Sequence, residues 1–448
     1  MLGVLDLPLW SVAPFVLLLL AIAILPLVAG HWWHYNRNRA IVVAACAIPV
    51  AAFLVYEELV DGLPALKPLA DELGTYVSFI LLLGSLYVVS GGIVLSGELE
   101  PRPLTNTAFL ALGAVLANLI GTTGASVLMI RPVLRINQGR QHKAHVPVFF
   151  IFTVSNLGGL LTPLGDPPLF LGFLNGVPFS WTLSLWPHWL VANGIVLAIF
   201  FVWDMLAYRR EAPASRAKTS KVCNTSEVCG EPERKEGLRL SGMINLGFLA
   251  GIMVAILIQE PLPSPWGEII GGAIMLAMGM LSLCLTPRAL REANGFSWGP
   301  ILEVAILFAG IFIAMVPALE ILGVHGKELG ITAPWHYFWL TGILSSFLDN
   351  APTYMTFATL AAGSGDFSLL VHDQVPGING PLVLKAISCG AVFMGALTYI
   401  GNGPNFMVKA IAEQAGFRTP TFLGYLVYSY LILVPVFVII TIVFFAGP

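Results

Sequence analysis

Long apolar runs alternate with short polar turns along almost the whole chain, and the runs have the length of membrane-spanning helices. Crossing the hydrocarbon core takes about 20 predominantly apolar residues in a helix. Segments 11–30, 41–60, 75–96, 105–130, 146–174, 188–207, 242–259, 267–285, 299–322, 334–363, 383–412 and 420–446 meet that need. The pattern predicts an all-α polytopic membrane protein. The run from Trp10 to Ala29 has no basic residue before it, so it reads as a first spanning helix rather than a cleaved signal peptide.

Four of these runs are interrupted. Asn156-Leu157-Gly158-Gly159-Leu160-Leu161-Thr162-Pro163-Leu164-Gly165-Asp166-Pro167-Pro168 breaks segment 146–174, and Thr398-Tyr399-Ile400-Gly401-Asn402-Gly403-Pro404 breaks 383–412. Asn118 to Gly124 and Ser345 to Thr353 place small and polar residues at the centres of 105–130 and 334–363. A bilayer accepts non-helical backbone and ionisable side chains only where protein or a water-filled cavity surrounds them. Segments 105–130 and 334–363 are therefore expected as re-entrant helical hairpins, and 146–174 and 383–412 as broken spans. Gly121 and Asp349 are 228 residues apart, and Thr162 and Thr398 are 236 apart. Same order and near-constant spacing predict two repeats, 1–207 and 241–448, joined by the charged linker 208–240. Such repeats place a transport site where the breaks meet.

Composition agrees with a lipid environment. Of 448 residues, 57% are hydrophobic and 10% charged, with a mean hydropathy of +0.84; soluble domains carry roughly a quarter charged residues. The net charge of −3 gives no footprint for nucleic acid. Basic residues cluster in 31–40, 131–145, 208–240 and 286–298, whereas 61–74, 175–187, 260–266 and 364–382 hold Lys67 alone. With the basic loops in the cytoplasm, the N-terminus lies outside and the linker inside. The first hairpin then returns to the cytoplasm and the second enters from outside, so the repeats are inverted. Linker 208–240, with Pro213 and Pro232, reads as a solvated loop, the alternative being a partner-binding segment. Cys46, Cys223, Cys229, Cys284 and Cys389 form no zinc pattern and are expected as reduced thiols.

The chemistry is expected at the interruptions. An ionised Asp at the bilayer centre costs about 2.5–3.5 kcal/mol on insertion scales, so Asp166 and Asp349 need a bound cation or proton, or a structural task as helix caps. Burial favours the protonated carboxyl and a nearby Na⁺ the ionised one, so one site holding either gives exchange. Oxygens from Ser155, Asn156, Thr162, Asn350, Thr353, Thr398, Asn402 and Asn405, with carbonyls freed at the prolines, suit a hard cation. Thr398, Asn402 and Asn405 fit equally well as hydrogen-bonding residues of the breaks. Glu303, Glu320, Asp204 and Glu98 are placed near membrane interfaces, and the histidines, among them His31, His34, His142 and His145, at the surface. Lys409 and Arg131 are expected to snorkel or to hold an anionic substrate.

At these motifs the sequence resembles the ion transporter superfamily, in particular the bacterial D-type sodium/proton antiporters and their arsenite and citrate permease relatives. Asn156 to Asp166 looks like the broken-helix motif, and Ser346-Phe347-Leu348-Asp349-Asn350 like the hairpin Asp-Asn motif. The resemblance implies an inverted-repeat transporter of the bacterial cytoplasmic membrane, often a homodimer, exchanging Na⁺ or Li⁺ for H⁺ with no cofactor beyond the ions. It implies Asn156, Asp166, Asp349 and Asn350 as ion-site residues, with Thr162 and Asn402 as companions and the two aspartates as Na⁺ ligands. Where the antiporters have a second Asp-Asn pair, this chain has Gly121-Thr122. Thr122, Thr123 and Ser126 then offer an alternative: a cradle, with hairpin N–H groups, for a carboxylate or an oxyanion such as arsenite.

A remote alternative is an intramembrane aspartyl protease with two carboxyls sharing a proton. Its Gly-x-Gly-Asp pattern is not met, because Pro163 stands at the first glycine position. No phosphate-binding loop is present, so the expected activity is secondary transport rather than catalysis.

Overall fold

The computed structural model describes residues 7–97, 99–211, 239–263 and 265–446. Most of the 208–240 linker, with Cys223 and Cys229, and Glu98 lie outside the described residues. The principal helices of the first half are α1 (Ala13–Val28), α2 (Asn36–Val60), α3 (Leu66–Ser90), α4 (Pro103–Ile136), α5 (His145–Thr153), α6 (Pro167–Leu174) and α7 (Trp186–Arg210). The second half contributes α8 (Ile244–Gln259), α9 (Trp266–Leu285), α10 (Gly299–Ala314), α11 (Val316–His325), α12 (Pro334–Phe347), α13 (Asn350–Ala362), α14 (Gly380–Met394), α15 (Gly403–Gln414) and α16 (Phe422–Ile440). The one described sheet is a two-stranded pair, in which Val94–Ser96 runs antiparallel to Arg239–Ser241.

The fold is all-α and polytopic. Among the described residues, 8 helices are long and apolar enough to cross a membrane, or 9 if α10 and α11, bent by 42° at their junction, form one span. Helices α2 and α3 begin before the apolar runs at 41 and 75, because hydropathy marks only the part of a helix that lies in hydrocarbon. The ladder of α3 continues outward with its first amides satisfied locally: the Leu66 N–H donates to Glu58 Oε2 at 3.0 Å.

Helix α4 is interrupted at Gly121, whose φ of 76° and ψ of 155° suit only a residue without Cβ. The chain doubles back there. Asn106 and Asn137, 31 residues apart, exchange amide hydrogen bonds of 2.9 and 2.8 Å, whereas a straight helix would hold them about 46 Å apart. Helices α12 and α13 meet at Leu348-Asp349, and the approach to α12 returns to the end of α13. A Cβ on Gly326 would sit 2.6 Å from Leu360.

Both broken spans pass through a 3₁₀ turn, Leu157–Leu161 and Gly395–Leu397, and restart as helices with proline in the first turn. The breaks form the interior. Of the apolar window of α14, 83% is buried within the protein, against 22% for α1 and for α2, so α14 is core and the first two helices lie at the periphery. The loops at the two breaks are drawn tight by glycine pairs: a Cβ on Gly165 would collide with the Gly159 carbonyl, and one on Gly401 would lie 2.7 Å from the Gly395 carbonyl.

Candidate functional site

Four helices begin at the centre of the molecule: the second arm of α4 at Thr122, α6 after Asp166, α13 after Asp349, and α15 after Asn402. Their first amides have no partner within their own helices and carry the positive end of the helix dipole. Asp166, 1% exposed, occupies the N-cap position of α6 without capping it. Its carboxylate reaches instead into both halves. Oδ1 accepts from Thr122 Oγ1 at 2.9 Å and from Asn402 Nδ2 at 3.2 Å, and Oδ2 accepts from Asn350 Nδ2. The Thr122 N–H donates to the Gly165 carbonyl at 2.8 Å, tying the hairpin tip to the break. All three side-chain donors are neutral, and Asp166 forms no ion pair among the described residues.

Asp349 makes a different contact. Its Oδ1 accepts from the Ala351 N–H at 3.2 Å, an N-cap of α13, and its side chain is half-buried. The two aspartates that look equivalent in sequence are thus a networked acid and a cap. Asn350, next to the cap, makes the contact to Asp166.

Other expected residues divide between the Asp166 network and the fastening of the breaks. Asn156 Nδ2 donates to Asn405 Oδ1 and to the Ile151 carbonyl, both at 2.8 Å. The Ser155 carbonyl accepts from Asn402, and its hydroxyl meets Ser126 at 2.8 Å. The Oδ1 atoms of Asn156 and Asn350 are buried with no donor. Thr162 bonds to the Asn118 carbonyl at 2.5 Å and Thr398 to that of Ser346, so each break is stitched to its own hairpin at equivalent positions. The closing helices repeat the pattern. Trp189 and Asn193 donate to the Gly158 and Leu157 carbonyls, and Tyr425 and Ser429 to those of Ala396 and Leu397. Thr123 lines a cavity of about 60 Å³ with Gly121, Thr122, Gly165, Pro167 and Val304. That is space for about two waters.

A second buried polar cluster was not anticipated. Asp204, placed near an interface from the sequence, is fully buried. It accepts from Arg140, from His145 Nε2 at 2.9 Å and from Asn106 at 2.8 Å. Arg140 also reaches Glu211 at 3.2 Å. The expectation of surface histidines fails for His145 and His188, both buried. His145 follows a basic loop yet opens α5 against α7, and His188 packs its ring 4.1 Å from that of Phe444. Both lie where a loop turns into a helix end, a position that residue type alone does not distinguish from the surface. Lys409 is paired with Glu413 at 2.7 Å, and Glu303 with Arg39 at 2.9 Å. Among the described residues no cluster of three or more His, Cys, Asp or Glu side chains is suited to a metal ion. Cys46, Cys284 and Cys389 are free thiols.

Comparison with known proteins adds a family. Residues 4–445 match the family described as "Putative citrate transport". The chain is 27% identical over 335 residues to proteins named as uncharacterized transporters in Mycobacterium bovis and in Mycobacterium tuberculosis, with 70% of each chain covered. It is 25% identical over 327 residues, 68% of each chain, to a 46 kDa membrane protein of Mycobacterium leprae. The family match runs through both hairpins and both breaks, so the chain belongs to this citrate transport family and is a multi-pass membrane transporter.

Proposed function

We propose that the protein is a secondary carrier of a carboxylate-bearing anion, with Asp166 holding the coupling proton or cation and the tip of the first hairpin receiving a substrate carboxylate. One observation carries this reading: Thr122 donates to Asp166 and also lines the tip cavity, so coupling site and substrate site share a wall. The named cavity residues include no acid, and the second arm of α4 begins at its edge, a favourable environment for an anion. A buried carboxylate bonded only by neutral donors is costly in a membrane, so a proton or cation accompanies it during the cycle. Neutralising Asp166 releases the Thr122 hydroxyl toward the substrate. The described cavity is smaller than a tricarboxylate, so binding one requires the hairpin tip and the break to part.

The two halves, 1–207 and 241–448, act in this reading as inverted repeats, with the N-terminus outside and the 208–240 linker in the cytoplasm. Supporting this, the base of the first hairpin meets His145 through Asp204, at the start of the first broken span. At the other end of that span, the Asn175 carbonyl accepts from the Phe367 N–H, just beyond the second hairpin. Both contacts favour hairpins that enter from opposite ends.

Exchange of Na⁺ or Li⁺ for H⁺ is the second reading, favoured by the unpartnered oxygens of Asn156 and Asn350 and by the nearby acid Asp349. The protease alternative needs two carboxyls sharing a proton, whereas Asp166 is bonded to Asn350, Asn402 and Thr122. Proteoliposomes carrying a pH-sensitive dye separate the readings. Citrate uptake, followed in parallel and driven by an imposed H⁺ or Na⁺ gradient, supports the proposal, proton movement evoked by Na⁺ or Li⁺ alone assigns cation exchange, and the absence of both overturns both.

A further inference from the structure

A groove of about 1000 Å³ lies away from the Asp166 site, between residues 141–145, the end of α7, residues 416–418 and Tyr428 of α16. Its two ends differ in chemistry. Ile199, Val202, Trp203 and Leu206 fall at helical spacing on α7 and form an apolar wall. Val202 and Leu206 are 51% and 49% exposed, so this wall is uncovered by protein. Trp203 and Tyr428 stand with rings 5.7 Å apart, the aromatic pairing found at membrane interfaces. Beyond them the lining turns cationic, with Lys143, Arg210 and Arg418 and no acidic residue. Lys143 is held in place over the Phe417 ring, 4.4 Å from its centroid.

We infer that this groove binds one anionic phospholipid, its phosphate on Lys143, Arg210 and Arg418 and its acyl chains along Val202, Trp203 and Leu206. The gradient from apolar to cationic within one groove, at the end of a spanning helix, matches such a molecule, and basic pockets between spanning helices are suited to anionic headgroups. A neutral lipid lacks the charge that three clustered cations demand. The floor of the groove gives the lipid a route to the transport site. His145, which lines it, bonds to Asp204, and Asp204 bonds to Asn106 at the base of the first hairpin. A bound headgroup therefore steadies the hinge end of the hairpin whose tip holds Thr122.

Native mass spectrometry of the full chain in detergent, with phosphatidylglycerol or phosphatidylcholine of the same acyl chains, tests this. The expected result is one tightly retained phosphatidylglycerol, with about tenfold preference over phosphatidylcholine. The double variant Arg210→Ala/Arg418→Ala loses that preference, since each cation near a membrane surface contributes about fivefold and the two together exceed a roughly tenfold preference. Arg210→Lys/Arg418→Lys keeps most of it, and an unchanged unfolding temperature shows that the exposed arginines were not needed for folding. Equal retention of the two lipids, an undiminished preference in the alanine variant, or complete displacement by inorganic phosphate would each overturn the inference. So would a wild-type dimer that the alanine variant dissolves without any lipid preference, which would assign the groove to a second copy.

Discussion

Asp166 and Asp349 show how far residue identity alone can be read. Both are acids at breaks in apolar runs, and that much is legible; which one is networked depends on partners far away in the chain. Asn substitution separates their tasks because Asn caps a helix about as well as Asp but carries no charge. Asp166→Asn is expected to slow citrate-dependent uptake by about a hundredfold, since charge-assisted hydrogen bonds of roughly 1.5–3 kcal/mol each are lost and the new amide group must face either the Asn350 or the Asn402 donor. Asp349→Asn should retain folding and most uptake, while Asp349→Ala costs about 1 kcal/mol of stability through the lost cap. Uptake by proteoliposomes and thermal unfolding in detergent measure the two effects. Loss of transport in Asp349→Asn would assign that carboxylate to the ion site as well as to the cap.

The buried Arg140, Asp204 and Glu211 cluster was illegible for a related reason. Asp204 sits near a span end, where polarity reads as interfacial, and Arg140 and Glu211 fall in basic loops expected to be solvated; only packing against His145 and Asn106 makes the cluster interior. Arg140→Leu leaves two carboxylates buried without their cation and should lower stability by about 3–5 kcal/mol. Adding Asp204→Asn and Glu211→Gln should recover most of that loss in the same unfolding measurement. If the single variant unfolds like wild type, the cluster is not structural.

At the scale of elements the sequence was most informative, because glycine, proline and asparagine inside an apolar run have few uses besides breaking it. What closes each element is not written there. The Asn106 and Asn137 contact joins residues in two unremarkable helix ends. The glycines of the breaks also differ in ways their spacing hides. A methyl group added to Gly165 or Gly401 would run into the carbonyl of Gly159 or Gly395, whereas one added to Gly403 would have nothing within 4 Å. Gly165→Ala and Gly401→Ala are expected to abolish uptake by spreading the breaks, and Gly403→Ala to leave it within about twofold of wild type, since an alanine in the first turn of a helix is favourable. Comparable losses at all three positions would mean that helix-start flexibility, rather than close approach, is what the motif requires.

At the scale of the whole molecule, the recurrence of motifs at spacings of 228 and 236 residues is accompanied by a recurrence of contacts that no spacing discloses. Each break is stitched to its own hairpin by a threonine. The inverted arrangement proposed for the two halves makes a prediction about sidedness. Single cysteines introduced at Ser96 and at Gly377, in a background lacking the native cysteines, should react with a membrane-impermeant maleimide from opposite faces of the membrane. Ser96 pairs with Arg239 beside the linker, whereas Gly377 lies in the loop that follows the second hairpin. Labelling of both from one face would rule out inversion.

The acid at the centre draws its donors from three elements, two of them in the opposite half. Any rocking that parts the halves strips Asp166 of Asn350 and Asn402 together. A half-open carrier with a bare negative charge is therefore disfavoured unless cargo or a counter-ion takes their place. In the proposed cycle, slippage, the idle leak that would short-circuit an energised membrane, is then held down by bonds the cycle already uses.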